Sequence, residues 1–151
     1  MSEFKKYTPE AKVRASALGS LAMREHSCFE LRQKLLNKKH DEVLVDELIV
    51  SLTKENLISD QRYAESYWRS RSAKGYGPSR ISRELELKGV SSAIIRQAQL
   101  DANIDFFAVV EKVYLKKYHH SVASDYKEKA KRQSFLYRRG FDSEFIKHVI
   151  E

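Results

Sequence analysis

Apolar residues along this chain recur three or four positions apart, the spacing of one helix face, and rarely alternate as they would along a strand. Val13, Ala17, Leu18, Leu21 and Ala22 trace a first face. Ser27 can cap a second helix with Leu31, Leu35 and Leu36 inward, and Asp41 a third carrying Val43, Leu44, Leu48, Ile49 and Leu52. Asn56-Leu57-Ile58-Ser59-Asp60 breaks the periodicity. A second triplet opens on Ser59 or Asp60, with Tyr63, Ala64, Tyr67 and Trp68 on its apolar face; Tyr63, Tyr67 and Trp68 are packing residues whose polar tips are expected near the surface. Gly75-Tyr76-Gly77 ends that helix, and Pro78 suits the first turn of the next, where no N–H is needed. Ile81 and Leu85 face inward, Gly89 suits a left-handed stop, and Ser91 caps a helix with Ile94, Ile95 and Ala98. In a third triplet Asp105 opens a helix whose face holds Phe106, Val109, Val110, Val113 and Tyr114, with Leu115 beside it. Asp125 opens another through Ala130 and Leu136 to Gly140. Asp142 caps the last, with Phe145, Ile146, Val149 and Ile150.

The triplets repeat. Leu85 through Ile95 reappears as Leu136 through Ile146 at an offset of 51, with Gly89 and Gly140 in register. Leu35, Lys38, Asp41, Val43, Leu44 and Val45 align with Leu85, Lys88, Ser91, Ala93, Ile94 and Ile95 at an offset of 50, and Lys39 takes the Gly89 place. The first copy is therefore expected to be less regular at its stop. The fold expected is all-α: three tandem three-helix repeats in an elongated, solenoid-like array, with modules at 9–56, 57–102 and 103–151. Such arrays usually bind partners and do not catalyse.

Charge singles out the middle of the chain. Residues 1–60 hold ten Lys/Arg against ten Asp/Glu, residues 61–100 eight against three, and residues 101–151 ten against eight. A cationic centre fits a polyanionic partner, nucleic acid or an acidic protein surface; it also fits plain solubilising charge. Arg69, Arg71 and Lys74 end one helix, and Arg80, Arg83 and Lys88 run along the next. Tyr76 stands between the two groups, placed to stack on a base or to fill a pocket on a partner. The N–H groups at the helix start after Gly77 can receive an acidic group from a partner. A second basic stretch includes Lys131, Arg132, Arg138 and Arg139.

Catalytic patterns are missing. Gly75-Tyr76-Gly77 lacks the third Gly of a dinucleotide loop and the Gly-Lys-Ser/Thr of a phosphate loop, so it reads as a hinge between helices. His119 and His120 are adjacent and point apart on a helix, and no Cys/His cluster has zinc spacing. Cys28 is alone and reads as a small packing residue. No apolar run is long enough to span a bilayer, and no signal-peptide core opens the chain. A cytoplasmic monomer without cofactor or metal is expected.

Asn56 through Ala64, Arg69-Ser70-Arg71, Lys74 through Ile81 and Glu84 through Val90, preceded by Ala17-Leu18, Leu21-Ala22, Arg24 through Ser27 and Glu30-Leu31, resemble the RecX family in order and spacing. Asn56 stands where that family commonly has Gly, and Lys39 lacks the Gly stop. The resemblance implies a non-enzymatic modulator of the RecA recombinase, built of tandem three-helix repeats. It implies binding to RecA protein and the RecA–DNA filament in its helical groove, with suppression of strand exchange and ATP hydrolysis, and so a part in regulating homologous recombination, DNA repair and the SOS response. The basic residues named above are the candidate contacts. Direct DNA contact is a further expectation, and a RecA-independent nucleic-acid-binding repeat protein is the alternative.

Overall fold

The computed structural model describes residues 8–150, and among these there are nine α-helices and no strand. They are α1 (Pro9–Met23), α2 (Cys28–Asn37), α3 (Glu42–Lys54), α4 (Asp60–Ala73), α5 (Pro78–Leu87), α6 (Ser92–Ala102), α7 (Phe106–Tyr118), α8 (Tyr126–Arg138) and α9 (Ser143–Val149). Thr8, Ser27, Asp41, Ser59, Ser91, Asp105 and Asp125 occupy N-cap positions, each accepting a hydrogen bond from an N–H of the first turn. Ser59, not Asp60, caps α4. Asp142 holds the N-cap position of α9, but its carboxylate accepts from Ser79 Oγ at 2.8 Å instead of capping its own helix.

The middle helix of every module ends alike. Lys39, Gly89 and Gly140 have φ of 69°, 76° and 100°. In each case the residue's N–H bonds back to Leu36, Glu86 or Tyr137, and the next N–H reaches Leu35, Leu85 or Leu136. This is the double closure of a left-handed helix stop. The first copy is thus as regular as the others, with a lysine accepting a conformation that costs an L-residue roughly 1–2 kcal/mol. Asn56, at φ 58°, does the same after α3.

Two cores result. Val13, Ala17, Leu31, Leu35, Val45, Leu48, Leu52 and Ile58 close the first module by itself. The second and third modules share one core, through Trp68, Ile81, Leu85, Ile95, Phe106, Val110, Leu136, Phe141 and Phe145. Trp68 packs edge-on against Phe106, which meets Phe145, which meets Phe141. Trp68 is wholly buried, contrary to the expectation of a surface tip, and its indole N–H is satisfied by the Ile95 carbonyl at 3.1 Å. Val43, expected inward, is 62% exposed, and Val45 fills the core in its place. Leu18 and Leu115 also stand at the surface. Those positions lie at the edge of the helical stripe, where a small rotation of the helix decides which side faces in.

Successive modules meet through their middle helices. The start of α2 meets the end of α5, and the start of α5 meets the end of α8. Ser27 Oγ donates to the Lys88 carbonyl at 2.8 Å; the Gly77 N–H donates to the Arg139 carbonyl at 2.8 Å. Ser27 and Gly77 are equivalent N-caps, and Lys88 and Arg139 are equivalent C-caps. The positive end of one helix thus meets the negative end of the next.

Candidate partner-binding face

The glycines at these junctions do two things at once. A methyl group on Gly89 would stand 2.5 Å from Phe29 Cβ. On Gly140 it would overlap Arg80, and on Gly77 the carbonyl of Gly140. Lys39 is exposed, with no neighbouring helix start against it among the described residues, so a side chain is admitted there. The Gly75–Pro78 segment is therefore not the open hinge expected from its composition. Gly77 and Ser79 donate their N–H groups to the Arg139 and Gly140 carbonyls, so the start of α5 has no free N–H at those two residues to offer a partner.

Tyr76 occupies the middle of a cationic cluster. The guanidinium groups of Arg71, Arg80 and Arg139 lie 4.1, 4.3 and 4.9 Å from its ring centre. Each cation over a ring face contributes about 0.5–1 kcal/mol at exposed sites. Glu84 sits beside them and receives Arg71 at 2.9 and 3.1 Å, Arg80 at 3.2 Å and the Tyr67 hydroxyl at 2.8 Å. Partial burial works against the Glu84 carboxylate, but the hydrogen bonds from Arg71, Tyr67 and Arg80 outweigh it and hold its pKa below the usual range. Burial, followed by the bond to Glu84, pushes the Tyr67 hydroxyl up to about 12. Arg139 further donates to the Lys74 and Gly75 carbonyls, and Arg80 to that of Arg138. Tyr76 is thus a fastener between the second and third modules, not a bare platform for a base.

The expected site residues consequently divide. Arg71, Arg80, Arg139 and Tyr76 are engaged within the protein. Arg132, 5% exposed, is engaged more deeply: it donates to Tyr114 Oη, to the Ser121 carbonyl and hydroxyl, and to Glu128. It anchors the α7–α8 connection, so its guanidinium, expected as a partner contact, is occupied within the protein. Its four acceptors lie on α7, α8 and the loop between them, which the sequence could not reveal as neighbours. Lys88 leans on Glu30 at 3.7 Å. Arg69, Lys74, Arg83, Lys131 and Arg138 are exposed, and among the described residues their side chains have neither ion pair nor hydrogen bond. Of the basic residues singled out in the sequence, these five have uncompensated charge among the described residues.

Three more cations went unremarked in the sequence. Lys112, Lys116 and Lys117 stand exposed on α7 and line a cleft with Lys74 and Arg139. The i, i+4 spacing of Lys112 and Lys116 beside Val109 and Val113 was the available signal.

Cys28 is half-buried near Thr53, and burial raises its thiol pKa. Among the described residues no group of three or more His, Cys, Asp and Glu is arranged to hold a metal, and no helix is long and apolar enough to cross a membrane.

Residues 14–52, 59–98 and 104–150 match, in that order, the first, second and third three-helix domains of RecX. The chain is 37% identical over 135 residues to regulatory protein RecX of Halorhodospira halophila, covering 89% of this chain and 84% of that one. It is 36% identical over 138 residues to regulatory protein RecX of Ectopseudomonas mendocina, covering 91% and 92%. The fold is similar to a crystal structure of RecX from Lactobacillus salivarius, with a TM-score of 0.72 at 25% identity over 92% of each chain. A second crystal structure of regulatory protein RecX gives a TM-score of 0.79 over 97% of this chain and 73% of that one, at 23% identity.

Proposed function

The chain belongs to the RecX family of regulatory proteins, and we propose that it modulates the RecA recombinase, binding RecA and the RecA–DNA filament in the filament's helical groove and suppressing strand exchange and ATP hydrolysis. The observation that carries this reading is the match of all three modules, in order, to that family. In this reading a cytoplasmic monomer, needing no cofactor, lays modules 9–56, 57–102 and 103–151 across neighbouring RecA subunits.

Physical features support it. End-to-end middle helices and a core shared by the second and third modules make a stiff body, and a stiff body loses little conformational freedom on docking. Arg69, Lys74, Arg83, Lys131 and Arg138 are the contacts we assign to the partner, because their charge is not neutralised within the chain. Arg71, Tyr76, Arg80, Lys88 and Arg139 act behind them by holding the junctions. The alternative of a RecA-independent nucleic-acid binder is disfavoured by the enclosure of Tyr76, which removes the stacking platform it relied on.

The test is titration of the purified protein into RecA on single-stranded DNA, reading ATP hydrolysis and strand exchange. Both are expected to fall. Unchanged rates at stoichiometric protein would overturn the reading. Charge reversal at Arg69 and Arg83 is expected to weaken inhibition with the melting temperature unmoved.

A further inference from the structure

The cleft between the second and third modules has a composition that the family reading does not use. It lies where the end of α4 passes α7 and α8, and its volume is about 560 Å³. Lys74, Lys112, Lys116, Lys117 and Arg139 line it, and no carboxylate does. Elsewhere on this chain several half-buried arginines face acids, as Arg14 faces Glu55 and Arg32 faces Glu42 and Asp46. Lys74, Lys112 and Lys116 have no such partner among the described residues, so the cleft carries uncompensated positive charge. Its floor is apolar: Val109, Val113 and Phe135 are partly buried there.

An occupant must therefore bring both carboxylates and an apolar group. A nucleic-acid strand fits less well, because stacking a base needs an open ring face. Phe135 is the aromatic ring in this cleft, and Lys117 and Arg139 sit over it at 4.6 and 5.6 Å. We propose that the cleft is a docking site for an acidic protein segment, which seats an apolar side chain on Val109 and Val113 while its carboxylates meet Lys74, Lys112 and Lys116. This deepens the proposed function and rests on it for the segment's owner, an exposed acidic stretch of the RecA partner. The pairing is of the kind that sets encounter rate and orientation, with the apolar contact slowing release.

The experiment measures anisotropy of a short fluorescein-labelled peptide alternating Glu with Leu, against one alternating Glu with Ser. The Glu-Leu peptide is expected to bind the whole protein, more weakly as salt rises. A Lys112→Glu/Lys116→Glu variant is expected to bind it at least about tenfold more weakly, from reversal of two exposed charges. Lys112→Gln/Lys116→Gln is expected to show a smaller loss in the same direction. Equal binding by wild type and charge-reversed protein, or equal binding of the two peptides, overturns the proposal. So does tighter binding of an oligothymidylate of equal charge that is lost in the same variant. If the peptide arm fails while the protein still inhibits RecA ATPase, the cleft inference falls alone. If the peptide binds and RecA is unaffected, the cleft stands and the RecA reading falls.

Discussion

At the junction of the first and second modules, side chains do the joining. Ser27 Oγ reaches the Lys88 carbonyl, Asp60 Oδ1 accepts the Cys28 N–H at 2.8 Å, Arg62 pairs with Glu25 at 2.7 Å, and Lys88 leans on Glu30. At the junction of the second and third, the backbones themselves meet: Gly77 N–H to Arg139, Ser79 N–H to Gly140. One core runs beneath that second junction, whereas the first module closes on its own core. The geometry is shared and the chemistry is not. Backbone contact requires two glycines and tolerates no side chain, so it fixes an orientation. Side-chain contact carries the same helix-end match through groups that water and salt can compete for.

The hardest blow to that comparison should come from Gly140→Ala. Its methyl group has no room beside Arg80 and the position needs φ near 100°, so a loss of about 3 kcal/mol or more is expected, read as a fall in melting temperature. If Gly140→Ala melts like wild type, the second junction is not rigid. Next in size is Ser27→Ala, which removes both the cap of α2 and the link to Lys88. About 1–2 kcal/mol should be lost. Hydrogen exchange should show that loss confined to the first module and its junction, while amides of α4 through α9 keep their protection.

A smaller effect of opposite sign is expected for Lys39→Gly. It relieves an exposed left-handed lysine, and the gain should be about 0.5–1 kcal/mol once the extra freedom of the unfolded chain is counted. The same change is what Gly89 and Gly140 already embody, so a loss of stability would contradict the equivalence of the three stops.

The mildest test uses pH. His26, 1% exposed, precedes the Ser27 contact; its Nδ1 lies 3.0 Å from the Arg24 carbonyl and its Nε2 has no hydrogen-bond partner among the described residues. Burial lowers its pKa below 6.5. The unfolded chain then binds a proton that the folded chain resists, so stability is complete above about 6.5 and declines as pH falls below it. His26→Gln should flatten that part of the stability-against-pH curve. A slope identical to wild type would assign the pH response to other groups.

Much of this architecture is legible in the sequence. The caps Ser27, Asp41, Ser91, Asp105 and Asp125 announce themselves because capping is local chemistry, settled within four residues. Leu35, Leu85 and Leu136, each wholly buried, were equally plain from helical spacing. The site was less legible. Composition identified a cationic centre but could not say which cations were already engaged, because Glu84 takes Arg71 from thirteen residues away and Arg139 reaches Gly75 across sixty-four. Lys112 and Lys116 are not distinguishable in the sequence, because a lysine pair on a helix looks like ordinary solvated charge until another module closes a cleft around it.

The sequence by itself determined nine helices among the described residues, most of their caps, the centres of their apolar faces and the threefold repeat, since each follows from interactions between near neighbours in the chain. Tertiary structure alone decided that Lys39 can stand where Gly89 and Gly140 must be glycine. The reason is steric: a Cβ on the last two would meet the start of the preceding module's middle helix, whereas Lys39 is exposed.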